Sequence, residues 1–100
     1  MDIGTAIKLI RKNKGLSQFE LHQKCGLTVN AISQIETGIT FPQKSSIESI
    51  CQALEVPVSY LLFFAISEDD VPEEKRIAFN SLNNAIRTVL LDDINKQKNS

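Results

Sequence analysis

The sequence predicts an all-α protein, and three observations predict it. Apolar residues recur at helical spacing in successive segments, a serine, threonine or proline stands where most of those segments begin, and a glycine closes each of the first three. The chain has 100 residues, enough for one compact domain. Its 42% hydrophobic and 23% charged content is that of an ordinary globular protein, which excludes a disordered tail or a coiled-coil rod as its main form.

The first helix rests on Ile3, Ala6, Ile7 and Ile10, and Gly15 follows the basic run Arg11 to Lys14 where a left-handed stop belongs. A second helix begins at Ser17-Gln18-Phe19-Glu20, a capping box in which the serine oxygen and the glutamate three residues on satisfy orphan amides. It carries Leu21 and Cys25 on one face and ends at Gly26. Thr28 caps a third helix, short and anchored by Ile32 and Ile35, that stops at Gly38.

After the loop Ile39 to Pro42, Ser45-Ser46-Ile47-Glu48 reads as another capping box, with Ile47, Ile50, Cys51 and Leu54 as the stripe of a fourth helix. Pro57 suits the first turn of a fifth, which holds Val58, Leu61 and Leu62. The expected division is a five-helix domain over 1–66, an acidic hinge over 67–72 and a C-terminal helix over 73–96. Along that last helix Ala78, Phe79, Leu82, Ala85, Ile86 and Val89 share one face, whereas Ile77, Leu91 and Ile94 fall away from it. Apolar groups on two sides predict that it packs on its own domain and against another molecule, with Phe79, Leu82, Ile86 and Val89 as the dimer or partner contact.

The longest uninterrupted apolar run, Tyr60 to Ile66, falls far short of the ~20 residues of a membrane-spanning helix. The start Met1-Asp2-Ile3 has neither a basic region nor an apolar signal core, so a cytoplasmic protein with reduced thiols is expected. The formal net charge is -1. Residues 1–66 hold six basic side chains (Lys8, Arg11, Lys12, Lys14, Lys24, Lys44) against five acidic ones (Asp2, Glu20, Glu36, Glu48, Glu55), so the acidic excess lies in the tail and any contact with a polyanion falls on the first part.

The ordered series Ile7, Ile10-Arg11, Gly15-Leu16-Ser17-Gln18, Glu20-Leu21, Gly26-Leu27-Thr28, Ile32-Ser33-Gln34-Ile35-Glu36 and Gly38, followed by Pro42, Leu54-Glu55-Val56 and Tyr60-Leu61-Leu62, resembles the Cro/CI-like (XRE) family of repressors over about residues 3 to 63. The resemblance implies a lambda-repressor-like DNA-binding domain with a helix-turn-helix from Ser17 to Gly38. By residue type alone, Asn30 and Gln34 offer amides that match adenine, and a Val29 methyl can pack on a thymine methyl. The family carries its base contacts at Val29, Asn30 and Gln34, with Ser33 as a weaker fourth. By the same matching Ser17, Gln18, Thr28 and Thr37 touch phosphates, Lys44 adds one charge, and Arg11 and Glu36 form a structural ion pair between the first helix and the end of the third.

Two departures stand out. His22 occupies a position where the family usually has alanine, so its bulk bears on how closely the second and third helices approach. The loop Ile39-Thr40-Phe41 lacks the basic residues relatives often place there, which implies modest affinity per monomer, and Phe41 is expected to fold back on the core or, as the second reading, to meet a partner. No cofactor is expected and no metal, because His22 and Cys25, three apart, read as packing residues when zinc normally takes three or four protein ligands. No nucleophile with a base and no glycine-rich phosphate loop appears, so no enzyme is expected. The expected partner is double-stranded DNA, bound by a homodimer acting as a regulator, most simply a repressor, at inverted repeats. Two alternatives carry weight: an antitoxin whose region from Val71 to Ile94 grips a toxin, and an adaptor that uses the helical core for protein contacts alone.

Overall fold

The computed structural model describes residues 1–99. Six α-helices run in order: α1 (Ile3–Asn13), α2 (Gln18–Cys25), α3 (Val29–Glu36), α4 (Lys44–Leu54), α5 (Val58–Ala65) and α6 (Arg76–Asn99). Two single-turn 3₁₀ helices, Glu68–Asp70 and Glu73–Lys75, lie between the last two, and no strand occurs among the described residues.

One core organises them. Ile7 and Ile10 of α1, Leu21 of α2, Ile32 of α3, Ile50 and Leu54 of α4 and Leu61 of α5 are all essentially inaccessible to solvent. Burial of such side chains supplies roughly 1.5–3 kcal/mol each, so these seven fix the arrangement of the first five helices. The first helix sits centrally, packing on α3, α4, α5 and α6. Its approach to α3 requires Gly4: a Cβ there would overlap the main-chain oxygen of Ile35.

The cap signals hold where the chain reverses most sharply. Asp2 caps α1 through the Thr5 amide, and Gly15 and Gly26 take φ of 75° and 81° after the first two helices. Later signals differ. The expected box from Ser45 to Glu48 does not form, because α4 starts at Lys44 behind an extended Gln43 and the two serines fall within its first turn. Pro57 lies just outside α5 as its cap residue, with ψ of 148°, rather than within the first turn. Nor does Phe41 fold back on the core. It is 68% exposed, since the buried Pro42 turns the loop into α4 and leaves the ring outside.

The stretch read as a hinge contains the first 3₁₀ turn. Ser67 donates its amide to Asp70 Oδ2 at 2.9 Å, the Met1 ammonium donates to Asp70 Oδ1 at 2.6 Å, and the Asp2 amide donates to the Ala65 carbonyl at 2.7 Å. The Met1 ammonium, contributing most, and the Ser67 amide hold the Asp70 carboxyl below its ordinary range. Arg76 then donates from Nε to the Glu68 carbonyl at 3.0 Å, which directs the start of α6.

The last helix returns to the core. Ile94 is wholly buried in it and Leu90 and Leu91 pack half-buried against it, but Ile77, grouped with Leu91 and Ile94 by the sequence pattern, is 88% exposed because the helix meets the core only toward its C-terminal end. Tyr60 Oη donates to Asp93 at 2.9 Å, and Arg87 lies 5.3 Å from the centre of the Phe64 ring while donating to the Phe64 carbonyl. The opposite side is open: Leu82 and Val89 are 66% exposed and Ile86 42%, with Phe79 half-buried at the edge of the stripe.

Candidate nucleic-acid interface

Three residues, Gly26-Leu27-Thr28, separate α2 from α3. Both sides of this turn are built by local chemistry. Ser17 Oγ accepts from the Glu20 amide at 3.0 Å while Glu20 Oε1 accepts from the Ser17 amide at 3.1 Å, the complete reciprocal box. Gly26 closes α2 in the left-handed region, donating to the His22 carbonyl at 3.1 Å. Thr28 Oγ1 then accepts from the Ala31 amide at 3.0 Å and starts α3.

His22 is incorporated in this turn rather than merely tolerated. Its Nδ1 lies 2.7 Å from the Leu27 carbonyl oxygen. A carbonyl can only accept, so Nδ1 carries the proton and the imidazole ties the body of α2 to the residue before the Thr28 cap. The exposed Phe19 ring leans on it at 5.6 Å between centroids. Where alanine would allow close approach, histidine spans the gap with a hydrogen bond.

The third helix has two distinct sides. Ile32 and Ile35 are buried at 1% and 5% exposure. At about 100° per residue, Asn30, Ser33 and Gln34 fall away from that side and Val29 lies at its border, 60° from Ile32; Val29 and Asn30 are exposed, Ser33 and Gln34 half-buried. Gln34 is also restrained, since Thr40 Oγ1 donates to its Oε1 at 3.4 Å and the Ile39 amide to its main-chain oxygen at 2.9 Å.

The far end of α3 is held from inside. Arg11 donates from Nε to Glu36 Oε2 at 2.7 Å and from Nη2 to Oε1 at 2.9 Å, a bidentate pair in which each residue is only 7% exposed. Arg11 Nη1 also donates to the Leu16 carbonyl at 2.9 Å. Gln18 Nε2 donates to Glu36 Oε1 at 3.1 Å, so α1, the loop after it, α2 and α3 meet in one network. The side-chain amide of Gln18 is thus engaged within the fold.

The other polar candidates stand at helix ends. Ser17 and Thr28 stand at the starts of α2 and α3, where helix ends leave orphan amides able to meet an anion. Thr37 is exposed at the end of α3 and donates its hydroxyl to the Ser33 carbonyl at 2.9 Å. Lys44 opens α4 and is exposed. The arrangement is a capped two-helix unit with one helix buried on one side only, the form that admits a helix to the major groove.

A helix-turn-helix family model matches residues 7–61. The chain belongs to the Cro/CI-like (XRE) family of helix-turn-helix DNA-binding transcriptional regulators. Over 97 residues it is 31% identical to the HTH-type transcriptional regulator SinR of Bacillus licheniformis, a match that covers 96% of this chain and 84% of that protein. It is also 31% identical over 81 residues to an immunity repressor protein of Bacillus phage phi105, covering 81% of this chain but only 54% of the phage protein. The chain therefore spans about half the length of that repressor. A further relative, an uncharacterised HTH-type regulator of Sinorhizobium medicae, is 36% identical over 58 residues. The match to SinR extends past the family's own segment into α6, whereas the family model ends at Leu61.

Sequence reasoning did not find the His22 clamp, the share of Gln18 in the ion pair, the Thr40 contact on Gln34 or the close approach at Gly4. None has a local signal, because each joins residues from different elements.

Proposed function

We propose that this XRE-family regulator is a sequence-specific repressor that binds inverted repeats as a homodimer through α3. The reading rests above all on the outward side of α3, where Val29, Asn30, Ser33 and Gln34 stand over a buried Ile32 and Ile35. Asn30 and Gln34 carry amides suited to adenine, Val29 a methyl suited to thymine, and Ser33 a hydroxyl that serves either. Ser17, Gln18, Thr28, Thr37 and Lys44 fix register on the phosphates. Its work is binding rather than catalysis, and its place is the cytoplasm, where the DNA is; no single described helix is long and apolar enough to cross a membrane.

Two-fold pairing follows from the symmetry of the target: two α3 helices about 34 Å apart meet two half-sites one turn apart. The exposed stripe of Leu82, Ile86 and Val89, with Phe79 at its edge, is the surface we assign to pairing. A toxin gripped by the same stripe is the competing reading, supported by the same exposure, and a second protein that co-purifies would favour it.

Selection of bound duplexes from random DNA tests the proposal. An inverted repeat is expected, and Asn30→Ala or Gln34→Ala should each remove about 1–3 kcal/mol of discrimination at one base pair of each half-site. Unchanged base preference in both variants would remove them as readers.

A further inference from the structure

Of the contacts around the reading helix, one acts on its start alone. The Leu27 carbonyl accepts from His22 Nδ1 at 2.7 Å and from no other donor among the described residues, and the Thr28 amide in the same peptide plane donates to none of them. The Leu27 side chain packs half-buried against the core and sets how deep the turn lies. Rotation of the Leu27–Thr28 peptide about the Leu27 Cα–C bond would remain. A peptide unit is planar, so the His22 bond to its carbonyl stops that rotation and fixes the direction in which the chain enters Thr28. The Phe19 ring, 5.6 Å from the imidazole between centroids, limits the room in which Nδ1 could turn away.

The other end of α3 is held independently. Glu36 accepts two bonds from Arg11 and one from Gln18, and the main-chain oxygen of Gln34 accepts from the Ile39 amide at 2.9 Å and the Thr40 amide at 3.2 Å. With its far end pinned, α3 answers a change at its start by pivoting about Glu36. At 1.5 Å per residue Asn30 stands about 9 Å from that pivot and Gln34 about 3 Å, so a displacement is roughly three times larger at Asn30. Hydrogen bonds weaken steeply with misalignment, so Asn30 loses its base pair first.

We propose that His22 is a positioning residue for DNA recognition: through the Leu27–Thr28 peptide it sets the tilt of α3, and so the fidelity with which Asn30 reads its base pair. This rests on α3 as the reading helix. The donor at Nδ1 carries the role, and the volume of the ring does not.

The test uses the full chain and three duplexes: the inverted repeat recovered by selection, and two derivatives substituted in both arms at the base pair whose discrimination falls in Asn30→Ala or in Gln34→Ala. Three variants separate bond from bulk, with circular dichroism to verify that each is folded. His22→Ala removes both, His22→Leu keeps volume without a donor, and His22→Asn keeps a donor nitrogen bonded to Cγ, as Nδ1 is. The alanine and leucine variants should each lose about tenfold in discrimination at the Asn30 pair and only about twofold at the Gln34 pair, and the asparagine variant should recover most of the loss. Should one donor-free variant fail to fold, the other is compared with His22→Asn. Equal losses at the two pairs, full discrimination in a donor-free variant, or an asparagine variant no better than these overturns the positioning role and leaves α3 as the reader. Unchanged base preference in both Asn30→Ala and Gln34→Ala overturns reading by these two side chains and the role of His22 together.

Discussion

Glu36→Leu is the most informative single change, because it tests what holds the reading helix to the body of the domain. Glu36 accepts three hydrogen bonds, two from Arg11 at 2.7 and 2.9 Å and one from Gln18 at 3.1 Å. With both ions only 7% exposed, removing the carboxylate leaves a guanidinium buried with the Leu16 carbonyl as its one remaining partner. Breaking a buried pair in this way costs about 3–5 kcal/mol. In a domain of this size 1 kcal/mol moves the melting temperature by roughly 4–8 °C, so a fall of at least about 12 °C is expected in thermal unfolding followed by circular dichroism. The charge, not the volume, causes the loss, so Arg11→Met combined with Glu36→Leu should recover most of it: an apolar replacement of both partners is often neutral. A double-mutant cycle measures the coupling directly. A single-mutant cost under about 1 kcal/mol, or a double mutant no better than the sum of the two singles, would refute this account of how α3 is fixed to α1.

Three other outcomes follow from the geometry. Gly4→Ala, which sets a methyl against the main-chain oxygen of Ile35, should cost about 1–3 kcal/mol in urea unfolding by forcing α1 from α3, although alanine favours helices elsewhere. Thr28→Ala should cost about 1 kcal/mol through loss of the α3 cap, and Thr28→Ser should restore most of it, as read from the same unfolding curves. Burial raises the Cys51 thiol to about 11 from its usual 9.0, so a disulfide reagent at neutral pH should titrate Cys25 readily and Cys51 only on unfolding. The same shift has a sign: the folded state favours the protonated thiol, so this contribution is complete below pH 9 and is lost as pH rises toward about 11, a decline that Cys51→Ala should lessen.

The elements most legible in the sequence were those whose signals are local. The Ser17 box, the Gly26 stop and the Thr28 cap each involve residues no more than four apart, and all three appear as read. Where tertiary packing decides, the local signal loses: buried Pro42 sets the entry to α4, so the serines at 45 and 46 cap nothing, and Glu55 ends that helix at φ of 58° without being glycine. The division of α6 into a buried and an open side was legible because helical period alone separates Ile94 from Leu82 and Val89. The His22 clamp was not, since the bond that absorbs its bulk reaches a carbonyl across the turn and depends on the path the backbone takes there.

A regulator with a net charge of -1 must hold a polyanion with little help from counterion release. The exposed cations near α3 are few, and Arg11, the arginine closest to it in the fold, is consumed by Glu36. On the reading proposed above, what remains is mostly neutral: hydroxyls at Ser17, Thr28 and Thr37, amides at Gln18, Asn30 and Gln34, and the orphan main-chain donors at two helix starts. Such groups reward exact placement and gain little from mere proximity, because a hydrogen bond weakens steeply with angle whereas a charge acts at a distance. That explains why so much of this small domain is spent on fixing one eight-residue helix at both ends, by a cap and the His22 bond before it and by a buried ion pair behind it.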